Sequence, residues 1–104
     1  MTGIDIAGLR KAVREGRYLI TNHALQRMGE RRISPAEVLA VIEAGSVIER
    51  HPNNQPHPKA LLMAEINGQP LYVSCAFDGS YTYVITAHGY DPETWRDPWT
   101  RKRN

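Results

Sequence analysis

The chain has 104 residues, with thirteen Lys and Arg against eleven Asp and Glu, a formal charge of +2. This length and a hydrophobic content of 41% predict one folded domain, residues 1–104, and argue against disorder. The single cysteine, Cys75, excludes an intramolecular disulfide framework and a Cys-rich zinc module, and it fits a reducing compartment. No apolar run approaches the ~20 residues that span a bilayer, and no secretion signal is visible, so we expect no membrane association and a cytoplasmic location.

The charge is distributed unevenly along the sequence. Residues 9–32 contain seven basic and two acidic residues, a charge of +5, and residues 96–104 carry +3. Residues 33–95 carry −5. If the fold joins the two basic segments, they form a positive surface for a polyanion; the alternative is two unrelated solvated stretches.

Two helices are predicted before residue 33. Asp5 can cap the first, and Gly16 is a natural stop. Residues 18–21 are apolar and are either extended or a connector. Thr21 or Asn22 can cap the second helix, which runs through about Arg32. Its predicted core face consists of Ala24, Leu25 and Met28.

The third helix has the clearest start and stop signals. Ser34 to Glu37 forms a capping box with proline in the first helical position, and Gly45 ends the helix. Residues 46–51 then predict a strand. Residues 52–58 hold three prolines and two asparagines and predict a loop.

The second half of the sequence predicts antiparallel strands. Asn67-Gly68 is a strong signal for a two-residue hairpin, because a type I′ turn needs positive φ at both positions. This turn pairs Ala64 with Leu71 and Leu62 with Val73. The face assigned to the core is then Leu62, Ala64, Ile66, Leu71, Val73, Cys75 and Phe77.

A second turn begins at Asp78-Gly79, but its loop length is not fixed by the sequence. Loops of two and three residues would turn opposite faces of the strand at residues 81–88 inward. A third turn begins at Asp91-Pro92, with or without a short helix up to Trp95. The predicted fold is α+β, with two or three N-terminal helices packed on one face of a three- or four-stranded antiparallel sheet.

A column of polar side chains on the second predicted helix is the first candidate site. His23, Arg27 and Arg31 follow one another at a spacing of about one helical turn. Histidine can accept or donate a proton near neutrality, and arginine can hold a phosphate and stabilise charge on a phosphoryl intermediate. The pattern suits RNA cleavage without a metal, in which the 2′-hydroxyl attacks the adjacent phosphate. The alternative is a capping histidine beside a solvated arginine face.

Two further groups could take part in chemistry. His88 and Tyr90 lie at the end of the last predicted strand, where they are either site residues or polar residues satisfied at a strand exit. The 52–58 loop and its flanks supply His51, His57 and Lys59, which can contact phosphates. Two histidines six residues apart, without a carboxylate pair, are a poor metal signature, so we expect no metal and no cofactor.

Residues 20–34 carry a family resemblance. They resemble the opening of the domain-of-unknown-function family 4258, which reads I-T-x-H-A-x-x-R-M-x-E-R-x-I-S, and the resemblance covers roughly residues 18–100. That family is similar to RelE-like toxins and lies near the barnase–EndoU–colicin–RelE group of ribonuclease folds. The resemblance implies helices on a four-stranded antiparallel sheet, with RNA on the exposed sheet face. It carries over His23 and Arg27; where members often place a tyrosine, this sequence has His88, with Tyr90 two residues later.

Two functions are compatible with these observations. The first is a metal-independent ribonuclease of RelE-like type, a candidate toxin. His23 is then the general acid or base, Arg27 the phosphate clamp, and His88 or Tyr90 the second proton carrier. The expected substrate-binding residues are Arg31, Arg32, Lys59 and Tyr72.

The second function is an RNA- or protein-binding module that has the fold without the chemistry. In that case His23 caps its helix, and Arg27 pairs with an acid such as Glu30 or Glu93. The expected partners are RNA or the ribosome and, for a toxin, an antitoxin protein. The sequence leaves the oligomeric state open.

Overall fold

The computed structural model describes residues 3–102, which form three helices, a five-stranded sheet and a small two-stranded sheet. No helix within these residues is long and apolar enough to cross a membrane. The elements are α1 (Ile6–Arg14), β1 (Tyr18–Ile20), α2 (Asn22–Arg31), α3 (Pro35–Ala44), β2 (Ser46–His51), β3 (Lys59–Ile66), β4 (Gln69–Phe77), β5 (Thr82–Gly89), β6 (Trp95–Asp97) and β7 (Thr100–Arg101).

Local signals at the helix starts are confirmed. The Asp5 carboxylate accepts a hydrogen bond from the amide of Gly8, and the Thr21 hydroxyl accepts one from the amide of Ala24. Ser34 and Glu37 make both bonds of the capping box at the start of α3. These side chains accept hydrogen bonds from backbone amides that have no partner within the helix. The residue types that can do so mark the start of a helix in the sequence.

The main sheet has the strand order β1-β5-β4-β3-β2, and β1 pairs with β5 in parallel. The sheet therefore has one strand more than the three or four predicted, and this added strand, β1, is parallel to its neighbour, whereas β2 to β5 pair antiparallel as predicted. Residues 18–20 are too few to show a strand period, and their partners Thr82 to Val84 lie far along the sequence. The amide of Thr21 extends this contact by donating to the carbonyl of Val84, so α2 starts beside β5.

The hairpin at Asn67-Gly68 has the predicted register. Ala64 lies opposite Leu71 and Leu62 opposite Val73, and Asn67 and Gly68 both have positive φ. The predicted core face is also confirmed, because all of its residues pack in the main hydrophobic cluster. A local turn signal and strict alternation therefore sufficed for this half of the sheet.

The second hairpin has a four-residue loop, because Phe77 pairs with Thr82. Its register shifts between Ser74 and Cys75, which leaves one extra residue in β5. Val84 and Ala87 both enter the main core as a result, while Thr86 and His88 lie on the opposite face with their partners Ser74 and Tyr72. Because of this extra residue, the side chains of β5 do not alternate regularly between the two sheet faces, as both predicted loop lengths required.

The main core lies between the three helices and one face of the sheet. Leu9, Met28 and Val41 represent α1, α2 and α3 in this cluster. The prediction that Leu25 faces the core is wrong, since its side chain is 47% exposed. Ala24 and Met28 alone suffice to bury α2 against β5.

The other sheet face carries a second, smaller cluster formed by Leu61, Met63, Tyr72 and Trp95. The segment after Asp91 forms a turn and the short strands β6 and β7. Residues 92–94 lie in this turn and do not form the short helix that was one expectation for this segment. Trp95 anchors this segment on the sheet with 1% exposure. The remainder of this face is left open to form a groove.

Candidate functional site

Two adjoining pockets on the sheet face opposite the helices share His88 and Arg101, and we call them together the sheet groove. Their volumes are about 520 and 350 Å³. The first is lined chiefly by Arg31, His88, Tyr90, Asp91, Thr94 and Arg101. The second is lined chiefly by Glu49, His51, Lys59, Ser74, Thr86, His88 and Arg101.

His88 lies where the two pockets meet. Its ring stacks on Tyr72, with centroids 5.1 Å apart and planes 14° apart, and Tyr72 in turn stacks on Trp95 at 4.7 Å. His88 Nδ1 lies 3.0 Å from the carbonyl oxygen of Gly89. A carbonyl only accepts, so this contact requires a proton on Nδ1 and leaves Nε2 of the neutral ring as a proton acceptor.

One arginine from each basic segment lines the first pocket. Arg31 Nη1 donates to the carbonyl of Ala87 at 3.0 Å, which ties the last turn of α2 to β5. The Arg101 guanidinium lies 4.7 Å above the Trp95 ring. The fold thus joins parts of the +5 and +3 segments around His88.

Glu49 balances part of this positive charge. Its carboxylate accepts two hydrogen bonds from Arg101, at 2.7 and 3.0 Å, and lies 3.2 Å from His51 Nε2. The hydrogen bond from Arg101 holds the pKa of Glu49 below its ordinary value, against the opposing effect of partial burial. Arg101 is therefore positioned by a carboxylate, whereas Arg31 is positioned by a main-chain carbonyl.

The two phenols near His88 are bound to main-chain carbonyls. Tyr72 Oη donates to Pro98 at 2.7 Å, and Tyr90 Oη donates to Trp95 at 3.2 Å. Burial raises the pKa of Tyr72 to about 12. Tyr72, predicted to bind substrate, lies beneath His88 and supports it, while Tyr90 lines the first pocket.

The two histidines of the second pocket are far apart at the backbone. His51 lies opposite Lys59, and His88 lies opposite Tyr72. Three strand spacings and four residues along β3 separate them, or ~14 Å across and ~13 Å along the sheet. A single phosphate therefore cannot receive both rings without movement of the backbone.

His23 and Arg27 lie outside the residues that line the sheet groove. Both are exposed on α2, because Ala24 and Met28 occupy its buried side. Arg27 Nη1 lies 3.2 Å from Glu30 Oε1, the ion pair expected for a structural role. Arg32, in the left-handed C-cap position of α2, lines a different pocket together with Ile33 and Leu71.

The structure therefore brings together four of the eight predicted site residues in the sheet groove: Arg31, Lys59, His88 and Tyr90. Sequence reasoning missed Arg101 and Glu49 as groove residues. The charge of the segment at residues 96–104 was a signal for Arg101, but only the fold shows that this segment returns to β2. No group of three or more potential metal ligands occurs within residues 3–102.

Comparison with known proteins gives one match. The model of the family described as "Domain of unknown function (DUF4258)" matches residues 20–88, from the end of β1 to His88. No curated protein and no solved structure matches the chain significantly. The matched region contains Arg31, Lys59 and His88, whereas Tyr90 and Arg101 follow it. With two thirds of its length matched, the chain belongs to the DUF4258 family.

Proposed function

We propose that the protein is a RelE-like endoribonuclease that binds single-stranded RNA in the sheet groove and cleaves it without a metal. The observation that carries this proposal is the position of His88 where two pockets meet, since Arg31 lines the first pocket, Lys59 lines the second and Arg101 lines both. Helices on one sheet face and an open groove on the other also support a RelE-like architecture. In this proposal the protein acts in the cytoplasm as a toxin, on free or ribosome-bound RNA.

The proposed reaction is an internal transphosphorylation. His88 Nε2 accepts the proton of the ribose 2′-hydroxyl, whose oxygen attacks the adjacent phosphorus. The bond from phosphorus to the 5′-oxygen breaks, a 2′,3′-cyclic phosphate forms, and the departing oxygen takes a proton from solvent in the open groove. Arg31 and Arg101, which line the first pocket together with His88, hold the phosphate and stabilise its developing charge, while Lys59 in the second pocket holds a neighbouring phosphate.

The support around His88 suits this role. Stacking on Tyr72 and the contact with Gly89 fix the ring plane and the tautomer, so the imidazole is ordered before RNA arrives. His23 and Arg27 have no part in bond cleavage in this proposal. They share the exposed side of α2 with Arg31 and would extend the path for the RNA backbone.

Cleavage of total RNA and of RNA on translating ribosomes tests the proposal. The wild type should yield 2′,3′-cyclic ends in excess EDTA. His88→Gln and Arg31→Gln should each lower the rate by at least about a hundredfold, typical of losing a proton carrier or a charge stabiliser. His23→Ala should retain most of the rate. Absence of cleavage on both substrates, or full activity of His88→Gln, would refute the proposal.

A second candidate is RNA binding without cleavage. It is favoured by the hydroxyls of Tyr72 and Tyr90, which are both bonded to carbonyls, and by the distance between His51 and His88. This function requires RNA affinity that falls steeply with salt, no cyclic-phosphate product, and equal RNA integrity with wild type and His88→Gln.

The toxin form of the proposal also requires an antitoxin. We propose that it presents an acidic segment to the sheet groove, because Arg31, Lys59 and Arg101 would pair with carboxylates as they would with phosphates. Co-expression with the product of the neighbouring gene should suppress toxicity and block RNA binding. A partner that suppresses toxicity while RNA still binds in the groove would contradict this mode.

A further inference from the structure

A third pocket, of about 520 Å³, adjoins the sheet groove at Lys59 and Ile85, and we call it the loop pocket. The loop at residues 52–58 forms one wall with Pro56 and His57. Strands β4 and β5 form the other wall with Ala76, Tyr83 and Ile85. Its volume lies within the range of small-ligand sites, and a larger part of its wall is apolar than in either pocket of the groove.

The aromatic walls of the loop pocket are held in place. Tyr83 Oη donates to Asp78 Oδ2 at 2.7 Å, and its ring lies within 9° of parallel to that of His57, with centroids 6.1 Å apart. Asp78 is fixed in turn, because its Oδ1 accepts the amides of Ser80 and Tyr81, each at 2.7 Å. Asn54 Nδ2 donates to the carbonyl of His57 at 3.0 Å and orders the loop. An ordered aromatic surface loses little entropy when a ring stacks on it.

We propose that the loop pocket binds a nucleobase of the RNA strand whose phosphates occupy the sheet groove. The inference rests on the proposed function. It adds a contact to the base of the RNA to the contacts that the charged groove makes with the phosphates. Lys59 borders both pockets, so its ammonium is placed to hold the phosphate that links a base in the loop pocket to the next nucleotide in the groove. Stacking uses the face common to all bases, so the pocket discriminates weakly among them.

The loop pocket and the sheet groove are continuous at Lys59, and this favours a nucleotide over other occupants. An apolar side chain of an acidic peptide segment would also fit the walls, but a peptide must supply the apolar group and the negative charge from two different residues. A nucleotide places an aromatic face and a negative charge next to each other, which matches Tyr83 and Lys59 as they are arranged. A base stacked on Tyr83 would also leave its strand directed along the groove towards His88.

A non-cleavable 2′-O-methyl RNA oligomer with 2-aminopurine tests this site, because stacking quenches the fluorescence of that base. The wild type should bind and quench it. Tyr83→Phe retains the ring and should retain quenching, whereas Tyr83→Leu retains only apolar bulk. Tyr83→Leu should abolish quenching and weaken binding about tenfold, as expected for the loss of one stacked base. Wild-type quenching and affinity in Tyr83→Leu would overturn the inference.

Photocrosslinking supplies a readout that does not depend on a variant's folding. A 4-thiouridine oligomer bound to the wild type should crosslink to peptides that contain His57 or Tyr83. Crosslinks confined to residues outside the loop pocket would overturn the inference.

An abasic oligomer separates this inference from the proposed function. If RNA is cleaved but the abasic oligomer binds as tightly as the normal one, the base site is refuted and the nuclease stands. If no RNA is cleaved but quenching depends on Tyr83, the base site stands and the nuclease fails.

Discussion

The imidazole of His88 lies face to face with the phenol ring of Tyr72, with 5.1 Å between centroids. Tyr72 is fully buried and stacks on Trp95 on its other side. The half-buried groove histidine therefore rests on an interior aromatic column, and its position depends on Tyr72 and Trp95 beneath it.

Tyr72→Phe tests how this column is held. The variant retains the ring, and the hydroxyl that donates to Pro98 is lost. We expect a loss of about 1 kcal/mol in the free energy of unfolding, the usual cost of one buried hydrogen bond, measured by urea denaturation. Tyr81→Phe, at an exposed position, is the matched control and should leave stability unchanged. Equal stability of both variants would show that the bond to Pro98 contributes nothing.

Two glycines should respond in opposite directions to alanine. A methyl group at Gly45 would collide with the main-chain oxygen of Val41 and crowd that of Met63, so Gly45→Ala should destabilise by about 1–3 kcal/mol. Gly29, within α2, has open space around its Cα, and Gly29→Ala should stabilise by about 0.5–1 kcal/mol through helix propensity. Thermal and urea unfolding of the pair measure both effects; a shared sign would contradict the structure.

Asp78 should make stability depend on pH in the acid range. Amide hydrogen bonds, first that from Tyr81, together with the Tyr83 hydroxyl, lower the pKa of Asp78 from 3.8 to about 2. Because the folded pKa lies below the unfolded one, this stabilisation is present above about pH 4 and is lost as pH falls through about 2. Asp78→Asn should therefore be less stable than wild type at pH 7, by a margin that shrinks towards pH 2. A margin constant with pH would show that the carboxylate charge is irrelevant.

Arg101 and Arg14 offer a matched pair for RNA binding. Both are exposed and paired with a glutamate, Arg101 with Glu49 and Arg14 with Glu43, but only Arg101 borders the sheet groove. Arg101→Gln should weaken RNA binding and reduce the slope of log affinity against log salt by about 1, as for one lost phosphate contact. Arg14→Gln removes the same charge on the helical side and should change neither. Equal effects of both variants would indicate non-specific attraction.

Local signals account for what could be predicted of the fold. The capping box of α3, the Asn67-Gly68 turn and strict alternation depend on residues close in sequence, and they predicted α3 and the pairing of Ala64 with Leu71 correctly. The parallel pairing of β1 with β5 depends on residues far apart in the chain and leaves no local pattern. The extra residue in β5 also breaks the alternation from which a face would be inferred.

The sequence predicted several residues of the candidate site but did not predict where in the fold the site lies. Arg31, Lys59 and His88 were recognisable as phosphate-binding or proton-carrying residue types, but the approach of Arg31 to His88 depends on the bulge in β5 and the position of α2. His23 and Arg27 were predicted as a site because their spacing places them on one face of a helix. Spacing shows that side chains share a face, but it does not show whether a pocket lies in front of that face.

The return of β7 to the sheet has a consequence for limited proteolysis. Arg101 bonds to Glu49 of β2 and lies over Trp95, so the last described strand closes one side of the sheet groove. A cut between Trp95 and Arg101 would break this closure, whereas the pairing of β3, β4 and β5 does not depend on it.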